Sequence, residues 1–214
     1  MNTYYPIALH LQGQRCLVVG GGRVAYRKTL NLLKAGAEVK VVAPSAIEPL
    51  IQLGTGKTIE LVRRPFRTTD LRGVYLVFAA TDDRTVNHKI YEHTRSRHIL
   101  VNVVDDPDYC DFIMPAVLKK GRVTITVSTD GHAPYAAVVV KKRIDKLLNP
   151  EYMLYIQTII RVRSRLLKMK KSGVDIHIEH VLGKLSSEKL LHYIKEKNPD
   201  LLRRYIDTVI ASCV

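Results

Sequence analysis

Cysteine, long apolar runs and acidic side chains are all scarce in this chain, and each shortage removes a class of protein. The three cysteines, Cys16, Cys110 and Cys213, lie far apart without C-x-x-C spacing, which argues against a disulfide framework and against a cysteine zinc site. Cys16 falls in an apolar run and reads as a small buried hydrophobe. No apolar stretch approaches the roughly 18 residues of a membrane span, and Met1–Pro6 lacks a basic segment leading into an apolar core. The expectation is a cytoplasmic protein with no membrane partner. Asp and Glu number 20 against 34 Lys and Arg, a formal net charge of +14. The imbalance is uneven, with 15 basic and 11 acidic residues in 1–113 but 19 and 9 in 114–214. A basic surface attracts polyanions such as nucleic acid, a membrane face or a small polycarboxylate, or serves only solubility. No nucleic-acid recognition motif accompanies it, so no nucleic-acid partner is expected.

What is present is a globular composition, 46% apolar and 25% charged over 214 residues, enough for a nucleotide-binding domain and a smaller one. The organising stretch is Cys16–Lys28, an apolar run entering Gly20-Gly21-Gly22 and leading into a helix-compatible segment. Gly20, Gly22 and Ala25 fit G-x-G-x-x-G/A, in which glycines let the backbone approach a pyrophosphate and a small third residue lets helix and strand pack closely. The anion would rest on the unpaired N–H groups of the helix N-terminus.

The pattern around this turn alternates. A short edge strand is expected at Ile7–Leu9 and strands at Arg15–Val19, Glu38–Ala43, Thr58–Arg63, Val74–Ala80 and Ile99–Val104. Helices are expected at Val24–Ala35, Ala46–Leu53 and Arg84–Arg97, the last capped from Thr81-Asp82-Asp83. Strand and helix in turn predict an α/β fold with a Rossmann-type, doubly wound parallel sheet, whose ligands collect beyond the C-terminal strand ends. Strands at Phe112–Leu118 and Arg122–Ser128 then flank Lys119-Lys120-Gly121. Helical segments follow at His132–Leu148, Glu151–Lys171, Ser186–Lys197 and Pro199–Ala211. The expected division is a dinucleotide-binding domain over 1–113, a small α/β region over 114–148 and a helical domain over 149–214. The second strand ends Val41-Val42-Ala43-Pro44-Ser45 without the acid that commonly holds the ribose 2′-OH of NAD, so this criterion leaves NAD and NADP open.

Several stretches together resemble the precorrin-2 dehydrogenase/sirohydrochlorin ferrochelatase family, which includes the N-terminal module of siroheme synthases. Val19–Lys28 is similar to its V-G-G-G-x-V-A-x-R-K. Ala79–Asp83 with Val86-Asn87, Asn102–Asp105 and Phe112–Pro115 match in order and spacing, and Ser128–Pro134 resembles S-S-x-G-x-x-P. The resemblance implies NAD-dependent oxidation of precorrin-2 to sirohydrochlorin. In some members it also implies insertion of ferrous iron, taken as substrate, to give siroheme. It further implies a homodimer joined through 114–148. An NAD-binding regulatory module without catalysis is the alternative that fold analogy leaves standing.

The same resemblance assigns candidate residues. Asp105 matches the family's essential aspartate, a carboxylate able to take a proton as hydride leaves or to guide a metal into the ring. Gly20, Gly22, Arg23 and Val24 would lie at the pyrophosphate, Pro44 and Ser45 near the adenosine ribose, and Thr81 and Val103 on the cofactor side, with Asp82 as helix cap or cofactor neighbour. Ser128 and Thr129 stand where the family has a serine pair, read either as a structural pair at a strand end or, with His132, as the substrate-side candidates. Asp130 and His132 depart from the more frequent Gly and Thr. His177 and His180 lack H-E-x-x-H spacing and a third ligand, so no metal site is expected. The basic segments Lys141–Lys146 and Arg161–Lys171 would supply a field for a polycarboxylate tetrapyrrole.

Overall fold

A computed structural model describes residues 4–213. The chain forms two compact units, Met1–Met114 with Asp130–His132, and Pro115–Thr129 with Ala133–Val214. The first unit runs β1 (Arg15–Val19), α1 (Arg23–Lys34), β2 (Glu38–Val42), α2 (Glu48–Thr55), β3 (Glu60–Val62), β4 (Leu76–Ala79), α3 (Arg84–Arg95) and β5 (Leu100–Val103). Its five strands are all parallel in the order β3-β2-β1-β4-β5. The chain winds outward from β1 to β3, then crosses back to β4 on the other side of β1. That reversal opens a crevice beyond the C-terminal end of the central strand.

Alternation along β1 sends its side chains into two separate cores. Cys16 and Val18 join Ala25 and Leu32 of α1, Leu50 of α2 and Phe78 of β4. Leu17 and Val19 face the other way, onto Leu71, Val77, Ile90 of α3 and Val101. Because both faces are covered, the central strands are apolar throughout rather than alternating, which is why they stood out in the sequence.

The periphery departs from the sequence reading. Ile7–Leu9 forms no strand; Ile7 is 66% exposed and only Leu9 packs against the first core. The strand expected over Thr58–Arg63 shortens to Glu60–Val62, the three residues that pair with Lys40–Val42. Beside it a 3₁₀ turn at Thr68–Leu71 buries Asp70. Arg64 donates to both its carboxylate oxygens (2.8 and 2.7 Å), the Arg67 N–H donates at 2.9 Å and Lys40 Nζ lies 3.3 Å away. Hydrogen bonding from Arg64, aided by Arg67 and Lys40, holds the Asp70 pKa down to about 2.

The second unit begins with an antiparallel hairpin, β6 (Ala116–Lys120) and β7 (Val123–Val127). The strand expected from Phe112 starts only at Ala116, because Phe112 is drawn edge-on against Phe78, with ring centroids 5.5 Å apart. Helix α4 (Pro134–Leu147) packs on the hairpin. Lys120 Nζ fastens the end of α4 by donating to the carbonyls of Asp145 and Leu148 (both 3.0 Å) and pairing with the Asp145 carboxylate at 2.6 Å. Helices α5 (Pro150–Lys171), α6 (Ile178–Leu185), α7 (Glu188–Lys195) and α8 (Pro199–Ala211) follow. Val162, Leu166, Ile176, Val181, Leu185 and Ile210 form a core among them. Helices α5 and α8 start alike: Asn149 and Asn198 accept the N–H of Tyr152 and Leu201, with proline in the first turn. No helix among the described residues is long and apolar enough to cross a membrane.

Candidate dinucleotide-binding site

The turn from β1 to α1 is tied to the neighbouring strand ends by backbone. The Gly20 N–H donates to Val42 O and Gly21 O accepts from the Ile47 N–H, both at 2.9 Å. Each of the three glycines meets a different constraint. Gly20 has φ +132°, and a Cβ there would overlap the Ala80 carbonyl beyond β4. A Cβ on Gly21 would overlap the Ser45 carbonyl beyond β2. Gly22 has ordinary extended backbone, φ −88°, and a Cβ on it would meet nothing within 4 Å. Gly20 and Gly21 therefore let three strand ends converge, and Gly22 keeps an open space at the start of α1.

That space has the electrostatics of an anion site. Gly22 caps α1 with no side-chain hydrogen bond, and the first turn contains no acid, so its N–H groups and the positive end of the helix dipole are uncompensated. Arg23, exposed at the first helical position, adds a cation where a cation is otherwise unfavourable. A pyrophosphate fits this donor set, held by the α1 N-terminus and Arg23. Ala25 is fully buried against the sheet, the close packing that a small residue permits. Val24 is half-buried beside it, and Pro44 and Ser45 are exposed just past β2.

On the far side of β1, Thr81 and the buried Asn87 interlock. Thr81 Oγ1 donates to Asn87 Oδ1 (2.7 Å) and Asn87 Nδ2 donates to Thr81 O (3.0 Å). The cap of α3 is Asp83, whose Oδ1 accepts the N–H groups of Thr85 and Val86 (2.8 and 3.2 Å). Asp82, the capping candidate from the sequence, is exposed and does not cap, because the helix begins one residue too late for it. Val103 ends β5 with its side chain in the core, so only its backbone faces the strand ends.

Four acids follow β5, and the structure separates them. Asp106 Oδ2 lies 3.3 Å from His88 Nε2. Asp111 accepts the Val101 N–H at 3.0 Å and Arg95 at 2.9 Å. Asp108 is exposed in the 3₁₀ turn Pro107–Tyr109. Asp105 is exposed, and its backbone sits in the left-handed region at φ +61°. That conformation costs a non-glycine residue about 1–2 kcal/mol, less for Asp than for most. Beneath it a network holds the loop: Asn102 Nδ2 donates to Phe112 O (2.9 Å) and approaches Cys110 Sγ (3.3 Å), while Cys110 Sγ donates to Val103 O (3.2 Å). Burial pushes the Cys110 thiol pKa up, which makes it a structural donor rather than a nucleophile.

The candidates Gly20, Gly22, Arg23, Val24, Pro44, Ser45, Thr81, Val103 and Asp105 thus all stand at one edge of the parallel sheet. Ser128 and Thr129 follow β7 in the second unit, where Thr129 Oγ1 accepts the Ala133 N–H at 3.0 Å. His132 is exposed in the segment leading to α4. His177 and His180 are exposed at the start of α6, and among the described residues no cluster of three or more His, Cys, Asp or Glu is placed to hold a metal.

One residue in this region, the last of the Val19–Lys28 match, had no role assigned to it from the sequence. Lys28 is half-buried on the inward stripe of α1, with Nζ 4.6 Å from the Phe78 ring centroid. Burial, with Arg27 nearby, lowers its pKa, while Cys110 and Asp105 act in the opposite sense. The signal was its spacing, three residues after Ala25 on the face that packs against the sheet.

Fold and glycine turn together define a Rossmann-type dinucleotide-binding protein. Residues 7–116 match the family model described as "Putative NAD(P)-binding", and the chain belongs to this NAD(P)-binding family. It is also similar to siroheme synthases. The protein from Nitrosococcus oceani is 40% identical over 80% of this chain and 36% of its own length. That from Vesicomyosocius okutanii is 32% identical over 98% of this chain and 46% of its own, and that from Methylococcus capsulatus 46% identical over 66% and 30%. The chain therefore spans between 30% and 46% of these curated relatives. A solved structure, "SirC, precorrin-2 dehydrogenase", shares the fold over 96% of this chain and 98% of its own, with TM-score 0.78 at 22% identity.

Proposed function

We propose that this chain oxidises precorrin-2 to sirohydrochlorin, with NAD as hydride acceptor. The observation that carries the reading is the placement of Asp105, an exposed carboxylate held in left-handed backbone at the same sheet edge as the pyrophosphate cradle. Bound NAD supplies a nicotinamide ring that accepts a hydride. The chain supplies position and a base: the α1 N-terminus and Arg23 fix the dinucleotide, and the Asp105 carboxylate takes the proton released as the hydride departs. The oxidation removes a hydride and a proton and leaves a new double bond in the macrocycle; the hydride would be taken by the bound cofactor, and Asp105 is the group of this chain that takes the proton. The substrate's carboxylates are drawn by the chain's basic excess.

The reading includes insertion of ferrous iron into sirohydrochlorin and a homodimer through residues 114–148. What supports the dimer is apolar surface left open on α4, where Val139 is 51%, Leu147 72% and Tyr135 87% exposed, next to a hairpin of only two strands with both outer edges unpaired. On this reading Ser128, Thr129 and His132 stand on the substrate side.

The test is purified protein with precorrin-2 and NAD, followed at the NADH absorbance, then with ferrous iron added to sirohydrochlorin. Asp105→Asn should bind NAD as the wild type does and lose at least about 100-fold in turnover, the scale of a general-base contribution. Turnover near wild type in that variant removes Asp105 from the mechanism. NADH that never forms with the wild-type protein refutes the dehydrogenase reading and leaves a dinucleotide-binding module.

A further inference from the structure

Lys28 is the most anomalous side chain at the sheet edge. An ammonium carries three donors and no acceptor, yet among the described residues Lys28 Nζ has no hydrogen-bond acceptor and no carboxylate within ion-pair distance. Its Nζ lies over the Phe78 ring, 4.6 Å from the centroid. A ring face attracts a cation but fills none of its donors. The residue sits on the α1 stripe that buries Ala25, Thr29 and Leu32, where the fold alone favours an apolar side chain. Helical side chains lean toward the helix N-terminus, so Lys28 extends toward the C-terminal strand ends rather than the bottom of the sheet.

Its surroundings are stiff. Phe78 stands in β4 between Val18 and Asn102, and is braced by Phe112. The Phe112 carbonyl and Cys110 are both held by Asn102, and Asp105 closes the same β5 end. A half-buried cation with no protein acceptor among the described residues, resting on an aromatic face at the C-terminal strand ends and within the electrostatic reach of Asp105, is placed to receive an anionic group of a ligand.

We propose that Lys28 is a substrate-binding residue whose ammonium receives one carboxylate of the tetrapyrrole and so sets the ring against Asp105. This rests on the function proposed above. The cofactor pyrophosphate, expected at the Gly22 end of α1, is the competing anion, and the NAD titration below separates the two. Phe78, Cys110 and Asp105 place the ammonium on the β4–β5 side, where substrate must meet the base.

The test is equilibrium titration of sirohydrochlorin and, separately, of NAD against wild type, Lys28→Met and Lys28→Arg, with thermal unfolding of each. Lys28→Met should weaken sirohydrochlorin binding about 10- to 100-fold, the loss of one charge-assisted hydrogen bond. NAD affinity should stay within about twofold and the unfolding temperature should change little, because a half-buried ammonium is replaced by a thioether of similar length. Lys28→Arg should recover part of the affinity. Unchanged sirohydrochlorin affinity in Lys28→Met overturns the proposal, as does a loss confined to NAD, which would assign the ammonium to the cofactor. Because binding is read without turnover, a wild type that binds sirohydrochlorin but forms no NADH refutes the dehydrogenase reading while Lys28 is still tested. A wild type that binds no sirohydrochlorin refutes both.

Discussion

Replacing Gly22 by alanine should separate folding from cofactor binding more cleanly than any other change at the site. A Cβ at Gly22 has nothing within 4 Å, and φ −88° suits alanine. The expected cost is a few tenths to about 1 kcal/mol, the preference of a helix N-cap for glycine over alanine. For a chain of this size that lowers the unfolding temperature by less than about 4 °C. The space entered by the new methyl is the space in which a pyrophosphate would rest on the α1 N–H groups. Losing one hydrogen bond to a charged oxygen is worth about 1.5–3 kcal/mol, or roughly 10- to 100-fold in Kd. Gly20→Ala is the control. Its φ of +132° and the overlap with the Ala80 carbonyl make it a folding mutation, with strain alone of about 1–3 kcal/mol. Calorimetric titration of NAD suits a chain with no tryptophan, alongside thermal unfolding. Gly22→Ala binding NAD as tightly as wild type would refute this placement of the cofactor. Destabilisation of Gly22→Ala equal to that of Gly20→Ala would refute the division of labour between the glycines.

Further consequences concern stability. The Asp70 carboxyl, at about 2 in the folded chain against an ordinary 3.8, contributes about 2 kcal/mol at neutral pH, at about 1.4 kcal/mol per pKa unit. Because the folded value is the lower one, that contribution is complete above about pH 4–5 and disappears as pH falls through about 2. Asp70→Asn should flatten the acid limb of a urea-midpoint profile, and an unaltered limb would show that other carboxylates govern it. Thr29 Oγ1 is fully buried in α1 without a hydrogen-bond partner. Thr29→Val keeps the shape and removes an unpaired hydroxyl, so the urea midpoint should rise by the equivalent of about 1 kcal/mol; a fall would mean that the hydroxyl is satisfied in solution.

Local pattern made the centre of the first unit legible. Leu17–Val19, Val41-Val42 and Leu76–Ala79 are buried on both faces and so read as continuous apolar runs. The glycine turn between β1 and α1 is a contiguous signal, as are the Asn-Pro helix starts of the second unit. Elements at the margins were harder to read. Whether Ile7–Leu9 or Thr58–Arg63 becomes strand depends on a partner strand being within reach, and hydrophobicity along the chain does not report that. The choice of Asp83 over Asp82 as cap turned on where α3 begins, to within one residue.

The amino-acid sequence by itself determined the alternation of strand and helix, the parallel sheet this implies and the dinucleotide fingerprint at Gly20–Ala25, because each is written in neighbouring residues. Only the tertiary structure decided how each acid after β5 is engaged. His88, Arg95 and the Val101 N–H engage Asp106 and Asp111 from distant positions, while Asp105 and Asp108 are exposed, Asp105 in left-handed backbone. It also decided what each glycine is for and that Lys28 is half-buried on Phe78. Those facts concern the distance between segments remote in the chain, and a lysine or a glycine carries no mark of its neighbours until the sheet has brought them together.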